Sequence, residues 1–231
     1  MLFRNRLLSS LPERDAELLR PHLREVHLTK GLVLADVGDR ISQVLFPSSA
    51  VLSVVVSLED GRTVEVATLG MEGASHVLEC LGVAPSTTRM FAQIPGSAFA
   101  VDAGVLRQRA AQSPELLRRL LRHVKAANSQ AEQNVACNAL HEAPGRLAKW
   151  LLMTEDRTGT PAFPLTQDYM AVMVGVQRST VNGAAVELRD KGLIRYTRGS
   201  VQVLDRVGLQ ARACECYEAV QERTASLELA S

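Results

Sequence analysis

The sequence predicts an α+β chain with three parts. They are an N-terminal jelly-roll-like β-roll, one long helix suited to dimerisation, and a C-terminal winged helix-turn-helix. Three observations carry this. Short apolar runs recur between turn signals from Arg24 to about Val101, the pattern of a sandwich or roll. Apolar positions repeat at heptad spacing over residues 114–140, as in a helix that packs on a second helix. Two short helical patterns over residues 163–204 lead into a strand pair around a basic turn. The expected domains are residues 1–110 (roll), 111–141 (dimerisation helix and hinge) and 142–231 (winged helix-turn-helix).

Residues 5–23 read as an amphipathic helical lead-in. Ser10, Pro12 and Glu13 make a helix start, with Leu18, Leu19 and Leu23 on the buried face. In the roll, Val26 and Leu28 alternate with polar neighbours. Apolar runs then follow at residues 32–34, 44–46, 51–58, 64–69 and 91–94. Lys30-Gly31, Val37-Gly38-Asp39, Phe46-Pro47-Ser48 and Ile94-Pro95-Gly96 separate them, and Glu59-Asp60-Gly61 marks the clearest hairpin. Only residues 74–81 interrupt the strands with a helical pattern.

Ser113-Pro114-Glu115 starts the long helix: a serine cap, proline at the first position and an acid in the first turn. Leu117, Leu121, Val124, Asn128, Ala131, Val135 and Asn138 form a seam of alternating four- and three-residue steps. This is the predicted dimer interface. A second stripe, Leu116, Leu120 and Ala127, is free to pack on the roll. Ala143-Pro144-Gly145 is expected to break the helix, which makes residues 141–145 a hinge, before residues 146–154 start another.

Thr166 can cap a helix carrying Tyr169, Met170, Met173 and Val174, and Gly175 ends it. Val176 plugs the turn. A second helix starts near Arg178, buries Val181, Ala184, Ala185 and Leu188, and closes at Gly192. Its early outward residues are Gln177, Arg178, Ser179, Thr180 and Asn182, types that hydrogen-bond base edges and phosphates. Strands at 193–197 and 201–204 flank Arg198-Gly199. One final helix is expected over 206–229.

The chain carries a net charge of +1. Residues 145–212 hold ten basic and six acidic side chains, a net of +4. A basic lobe on a near-neutral chain points to a polyanion, double-stranded DNA. Thr166, Gln167 and Arg198 are expected to grip phosphates, and Gln177, Arg178, Ser179, Thr180 and Asn182 to reach bases or backbone. Neither an apolar run of membrane length nor a signal-peptide core is present, so a cytoplasmic protein with no membrane partner is expected. The cysteines Cys80, Cys137, Cys214 and Cys216 should then be reduced thiols.

The order of parts resembles the CRP/FNR superfamily of bacterial transcription regulators. The residues that carry the likeness are Lys30-Gly31, Val37-Gly38-Asp39, Ser113-Pro114-Glu115-Leu116, Gly145-Arg146-Leu147-Ala148, Leu165-Thr166-Gln167 and the run from Gly175 to Val181. The resemblance implies a homodimer and, for an activator, a contact with RNA polymerase. It makes Arg178 a base-contacting arginine with Ser179 and Thr180 beside it. Gly183 stands where many members carry a basic residue, and Ser179 where a glutamate is common. Both departures imply a different operator.

The sensor pocket departs further. Gly70, Glu72 and Gly73 match the glutamate half of a cyclic-nucleotide site. In the second half, however, Arg89 follows Thr88, whereas the family places its arginine before the hydroxyl residue. Ala131 and Glu132 stand where cyclic-AMP binders offer hydroxyls. These residues leave room for a nucleotide or another small effector and argue against cyclic AMP held in the usual way. A solvated Glu72–Arg89 rim with no ligand reads the same pattern.

No iron–sulfur cluster is expected, since nothing precedes Cys80 and the four cysteines fall in different modules. Cys137 and His141 share a helix face, but two ligands make no metal site, so no metal is expected. Cys214 and Cys216 leave a thiol-redox response open, and His76 is a lone candidate for a haem ligand. A cupin-like enzyme would need clustered metal ligands. The five histidines do not cluster in the strands, so no catalytic residue and no enzyme activity is expected. An adaptor using its helices for protein contacts is the other rival, and Arg178 and the basic wing argue against it.

Overall fold

The structure, a computed structural model, describes residues 4–197 and 199–229, with side chains to residue 225. The chain forms two compact units. One runs to Val54 and takes in Thr68–Asn128; the other comprises Val55–Ala67 and the chain from Ser129 onward. No helix among the described residues is long and apolar enough to cross a membrane.

The first unit begins with two short helices, α1 (Arg6–Ser9) and α2 (Glu13–Leu19), and a 3-10 turn at Arg20–His22. The expected lead-in is therefore broken at Leu11-Pro12, because proline at the α2 N-cap cannot continue a helix. Leu19 is buried, but Leu18 faces outward, contrary to expectation. Seven strands follow: β1 (Arg24–Leu28), β2 (Val33–Ala35), β3 (Gln43–Pro47), β4 (Val51–Ser57), β5 (Thr63–Leu69), β6 (Arg89–Ile94) and β7 (Gly96–Asp102). They form sheets of order β1-β7-β3 and β2-β6-β4-β5. The unit boundaries at 54/55 and 67/68 fall inside β4 and β5.

Strand β7 lies between β1 and β3, antiparallel to both, pairing Arg24 with Ala100 and Val44 with Val101. Its alternating Ala98, Ala100 and Phe99 made it less visible as an apolar run than its neighbours. Gly96 opens it because a Cβ there would sit 2.5 Å from the Ala50 backbone nitrogen, closer than any side chain tolerates. Inside the roll, Leu28, Leu45, Leu52, Met90 and Ala92 pack together.

Helix α3 (Val77–Gly82) matches the expected interruption. Helix α4 (Ala103–Gln112) was not expected. Its buried face is only Ala103, Leu106 and Ala110, a weak apolar pattern, and Asp102 caps it by accepting from Val105 N–H at 3.0 Å. Helix α5 (Pro114–Leu140) starts where predicted, with Leu116 N–H donating to Ser113 Oγ at 3.1 Å. Leu116 and Leu120 are fully buried against Leu8, Leu19, Phe46 and Leu106, so the second stripe packs as expected.

In the second unit, α6 (Ala143–Thr158) takes Pro144 and Gly145 into its first turn, and the real break is His141-Glu142. Proline there lacks an N–H that the first turn leaves unpaired anyway. The helix is buried all round, its Leu147, Leu151 and Leu152 at 0% exposure. Trp150 donates Nε1–H to the buried Glu65 carboxylate at 2.9 Å, and Asn134 donates to Val66 O at 3.0 Å. The tip of the β4–β5 hairpin is thereby fastened within this unit.

The remaining elements are β8 (Ala162–Pro164), α7 (Gln167–Val174), α8 (Arg178–Asp190), β9 (Ile194–Thr197), β10 (Ser200–Val203), α9 (Arg206–Arg212) and α10 (Cys216–Leu229). The wing is a three-stranded sheet, β8-β10-β9, one strand more than expected. The single final helix is also corrected. It breaks over residues 213–215, where Ala213 turns extended (ψ 152°).

Candidate functional site

Three polar groupings stand out. The first is built at the junction of α7 and α8. Thr166 caps α7, its Oγ1 accepting from Tyr169 N–H at 3.4 Å, and Gly175 ends it with φ +63°. That left-handed turn is what lets α8 start three residues later. Val181, Ala184, Ala185 and Leu188 anchor α8 inward as expected. Gln177, Arg178, Ser179, Thr180 and Asn182 are all exposed. The helix has no side-chain cap, so its first N–H groups face outward with the positive end of its dipole.

Arg178 is held in place from α7. Its Nε–H donates to Gln167 Oε1 at 3.2 Å, and its guanidinium lies 3.2 Å from Asp168 Oδ1. Gln167 in turn donates to Asn182 Oδ1 at 2.7 Å. Sequence reasoning placed Gln167 on phosphate and missed Asp168 as a partner. The two helices' first turns could have suggested it, since both precede exposed faces of one hairpin. These bonds are on the surface, so a ligand can replace them at little cost. In the wing, Arg195 reaches Gln202 Oε1 at 3.1 Å; Arg198 lies outside the described residues.

The second grouping is the sequence-predicted effector site. Gly70 N–H donates to Glu72 Oε1 at 3.2 Å. Gly73 sits against the His123 ring, which a Cβ would meet at 2.3 Å, and burial pushes the His123 pKa down. Arg89 turns to Asp36, its Nε–H 3.0 Å from Oδ2, and the pair is exposed. The Thr88 carbonyl accepts from Ser86 Oγ at 2.8 Å. Gly70, Glu72, Gly73, Thr88 and Arg89 all belong to the first unit. Ala131, half-buried, and Glu132, exposed, fall in the second unit's part of α5. His76 is buried, and burial pushes its pKa down too.

Along the seam, Leu121 is 49% and Val135 72% exposed, and Asn128 and Asn138 are also exposed. Leu117 and Val124 are half-buried against the first unit's core. Asn138 accepts from Arg146 at 2.9 Å through Oδ1, a use within the chain that the seam pattern did not foresee.

The third grouping corrects the sequence reading that spread the cysteines over separate modules. Cys137, His141, Cys214 and Cys216 converge, all four ligand atoms within 4.8 Å of one another. Cys137 and Cys214 sulfurs are 3.6 Å apart, and Cys216 Sγ is 3.5 Å from His141 Nδ1. The adjacent Cys214 thiol drives the Cys137 pKa well below the usual thiol range, with Lys149 and His141 adding, while Cys137 pushes that of Cys214 up. The paired spacings Cys-x3-His and Cys-x-Cys were the available signal. The break between α9 and α10 joins them, and it was not foreseen. Cys80 stays apart in the first unit, buried and donating to Ala103 O at 3.2 Å.

A model of the Crp-like helix-turn-helix domain matches residues 145–212, the span that holds the α7–α8 hairpin and the wing. The chain is 27% identical over 202 residues to a CRP-like cAMP-activated global transcriptional regulator of Mycobacterium tuberculosis, covering 84% of this chain and 90% of that protein. Among solved structures, it resembles FixK2 of Bradyrhizobium japonicum (TM-score 0.70, 17% identity, 83% of this chain and 98% of that one). It also resembles TTHA1359, a CRP/FNR-family transcriptional regulator of Thermus thermophilus (TM-score 0.64, 21% identity, 82% and 98%). The last two likenesses speak for the fold.

Proposed function

We propose that this chain, a DNA-binding transcription regulator of the CRP/FNR type, acts as a homodimer on a near-palindromic operator. Two copies of α8 would enter successive major grooves about 34 Å apart. The observation that carries this is the exposed, uncapped start of α8 with Arg178 pre-aligned by Gln167 and Asp168.

In that pose Arg178 exchanges its partners for guanine O6 and N7. Ser179, Thr180, Asn182 and Gln177 contact neighbouring bases or backbone, and Thr166, Gln167 and Arg198 take phosphates. The dimer forms along Leu117, Leu121, Val124, Asn128, Ala131, Val135 and Asn138. The outward apolar faces of Leu121 and Val135 support this, being costly to leave in water. The protein works in the cytoplasm and catalyses nothing; as an activator it would also meet RNA polymerase.

An effector, where one acts, sits by Gly70, Glu72, Gly73, Thr88 and Arg89. The relative from M. tuberculosis is named for cyclic AMP, but here Arg89 follows Thr88 and Glu132 stands where cyclic-AMP binders offer a hydroxyl. We therefore infer another nucleotide or small molecule, or a silent roll.

Selection of the purified protein on random DNA duplexes, with and without a panel of nucleotides, tests the reading. Enrichment of a palindrome is expected. Loss of that enrichment in Leu121→Asp, together with a halved mass by light scattering, would tie it to the seam. An unchanged mass would remove the seam from the dimer, and no enrichment under any condition would end the operator reading.

A further inference from the structure

We propose that Cys137, His141, Cys214 and Cys216 form a closed tetrahedral site for one thiophilic divalent cation of the zinc class. The site joins the end of α5 to the α9–α10 break.

The distances suit a single ion. Bonds of about 2.3 Å to sulfur and about 2.0 Å to nitrogen put tetrahedral neighbours roughly 3.5–3.8 Å apart. Cys137–Cys214 at 3.6 Å and Cys216–His141 at 3.5 Å fall in that range. The remaining pairs lie within 4.8 Å, and small side-chain rotations close them. Three soft sulfurs and one imidazole are the donors such an ion selects, and four protein ligands leave no position open for substrate or water. The site is structural, not catalytic.

The surroundings match the ligands. Glu215 lies 3.1 Å from His141 Nε2. It accepts that N–H and leaves the Nδ1 lone pair for the ion, the usual carboxylate–histidine–metal arrangement. Gln133 donates to Cys216 Sγ at 3.0 Å. Lys149, buried, donates to Cys137 Sγ at 3.4 Å and to Asn134 Oδ1 at 2.7 Å. Three thiolates on a divalent ion leave one negative charge, which the Lys149 ammonium offsets. The three thiol protons are released as the ion binds. Gly145 passes beside the site, its carbonyl accepting from Cys214 N–H at 3.4 Å.

Two ligands precede α6 and two follow α9, so the ion would staple across the break at His141-Glu142. Metal occupancy would then decide how firmly α5 holds the DNA-reading lobe. Neither the site nor its test depends on which DNA is bound.

The full-length reduced protein, given zinc and dialysed, should retain one ion per chain by mass spectrometry and melt higher than after chelation. Cobalt(II) in its place should give the strong visible bands and sulfur charge-transfer absorption of tetrahedral thiolate coordination. Cys214→Ser and Cys216→Ser should each lose those bands, and Cys80→Ser should keep them. Glu215→Gln should bind metal roughly 10–100-fold more weakly. Since a core cysteine variant can misfold, His141→Cys provides the control: it should fold and hold cobalt with a shifted, four-sulfur spectrum, where His141→Ala weakens binding. Four free thiols with no ion retained would overturn the proposal. So would an octahedral cobalt spectrum, cobalt bands indifferent to Cys216, or a Cys137–Cys214 disulfide in freshly reduced, zinc-treated protein.

Discussion

The second unit holds two polar clusters of opposite character. Around Arg178 the partners lie close in sequence and open to water: the Arg178 side chain is 64% and Asp168 73% exposed. Around Cys137 the partners lie up to 79 positions apart, with Cys137 at 0% and Cys216 at 1% exposure and His141 and Cys214 half-buried. Exposed ion pairs are weak because water competes for both partners. Buried sulfurs and amines have no such alternative and keep their company. The first cluster is poised to trade partners with a ligand, whereas the second is built to hold the lobe together.

The sharpest way to break this contrast is to attack the buried side. Trp150 is 4% exposed and donates to Glu65. Trp150→Ala should cost about 3–5 kcal/mol of stability through lost packing and the cavity left behind, measured by urea unfolding. A loss below about 0.5 kcal/mol, the scale of an ordinary surface change, would mean that the interior around α6 is looser than its burial implies. A separate polar cluster at the end of α6 joins Arg206 to Glu155 at 2.7 Å and Asp156 at 2.6 Å, with the Tyr217 hydroxyl donating to Asp156 at 2.9 Å.

On the exposed side the expected effects reverse. Arg178→Ala should leave the unfolding midpoint unchanged and weaken specific DNA binding by about 1–3 kcal/mol, read by titration at fixed salt. Equal affinity of variant and parent for the selected duplex would falsify the base-reading role. A drop in stability of the size expected for Trp150→Ala would instead make Arg178 part of the lobe's framework and erase the distinction between the clusters.

How much of this was legible follows the same divide. The α7–α8 hairpin could be read from residues within one short stretch, since capping, a glycine stop and helical spacing are local rules. Helix α5 and the hairpin at Glu59-Asp60-Gly61 were visible for that reason too. The Cys137 cluster was hidden because it depends on Ala213 leaving helix between α9 and α10, and mixed-charge sequence there shows no break. Helix α4 escaped because alanines carry its buried face. Strand β8 escaped because three residues that end in proline make no strand pattern, and only pairing with β10 defines it.

The smallest effect belongs to the first unit and extends the exposed class beyond the DNA-reading lobe. Asp36 and Arg89 form a surface pair in which the Arg89 side chain is 47% exposed. The guanidinium, its main partner, lowers the Asp36 carboxyl pKa, and the carboxylate raises that of Arg89. Hydrogen bonding that favours both charged forms tells nothing of net stability when water surrounds the pair, so Arg89→Ala should not move the melting temperature. Its value lies elsewhere. If Arg89 serves the roll only as Asp36's partner, the variant should respond to every nucleotide as the parent does. If it leaves Asp36 to grip an effector's phosphate, the variant should keep its effector-independent DNA binding and lose the response. Asp36→Asn, which frees the guanidinium, should then strengthen it. Isothermal titration of the effector against the two variants separates these cases, because a structural pair predicts the same change in both and a gripping arginine predicts opposite ones.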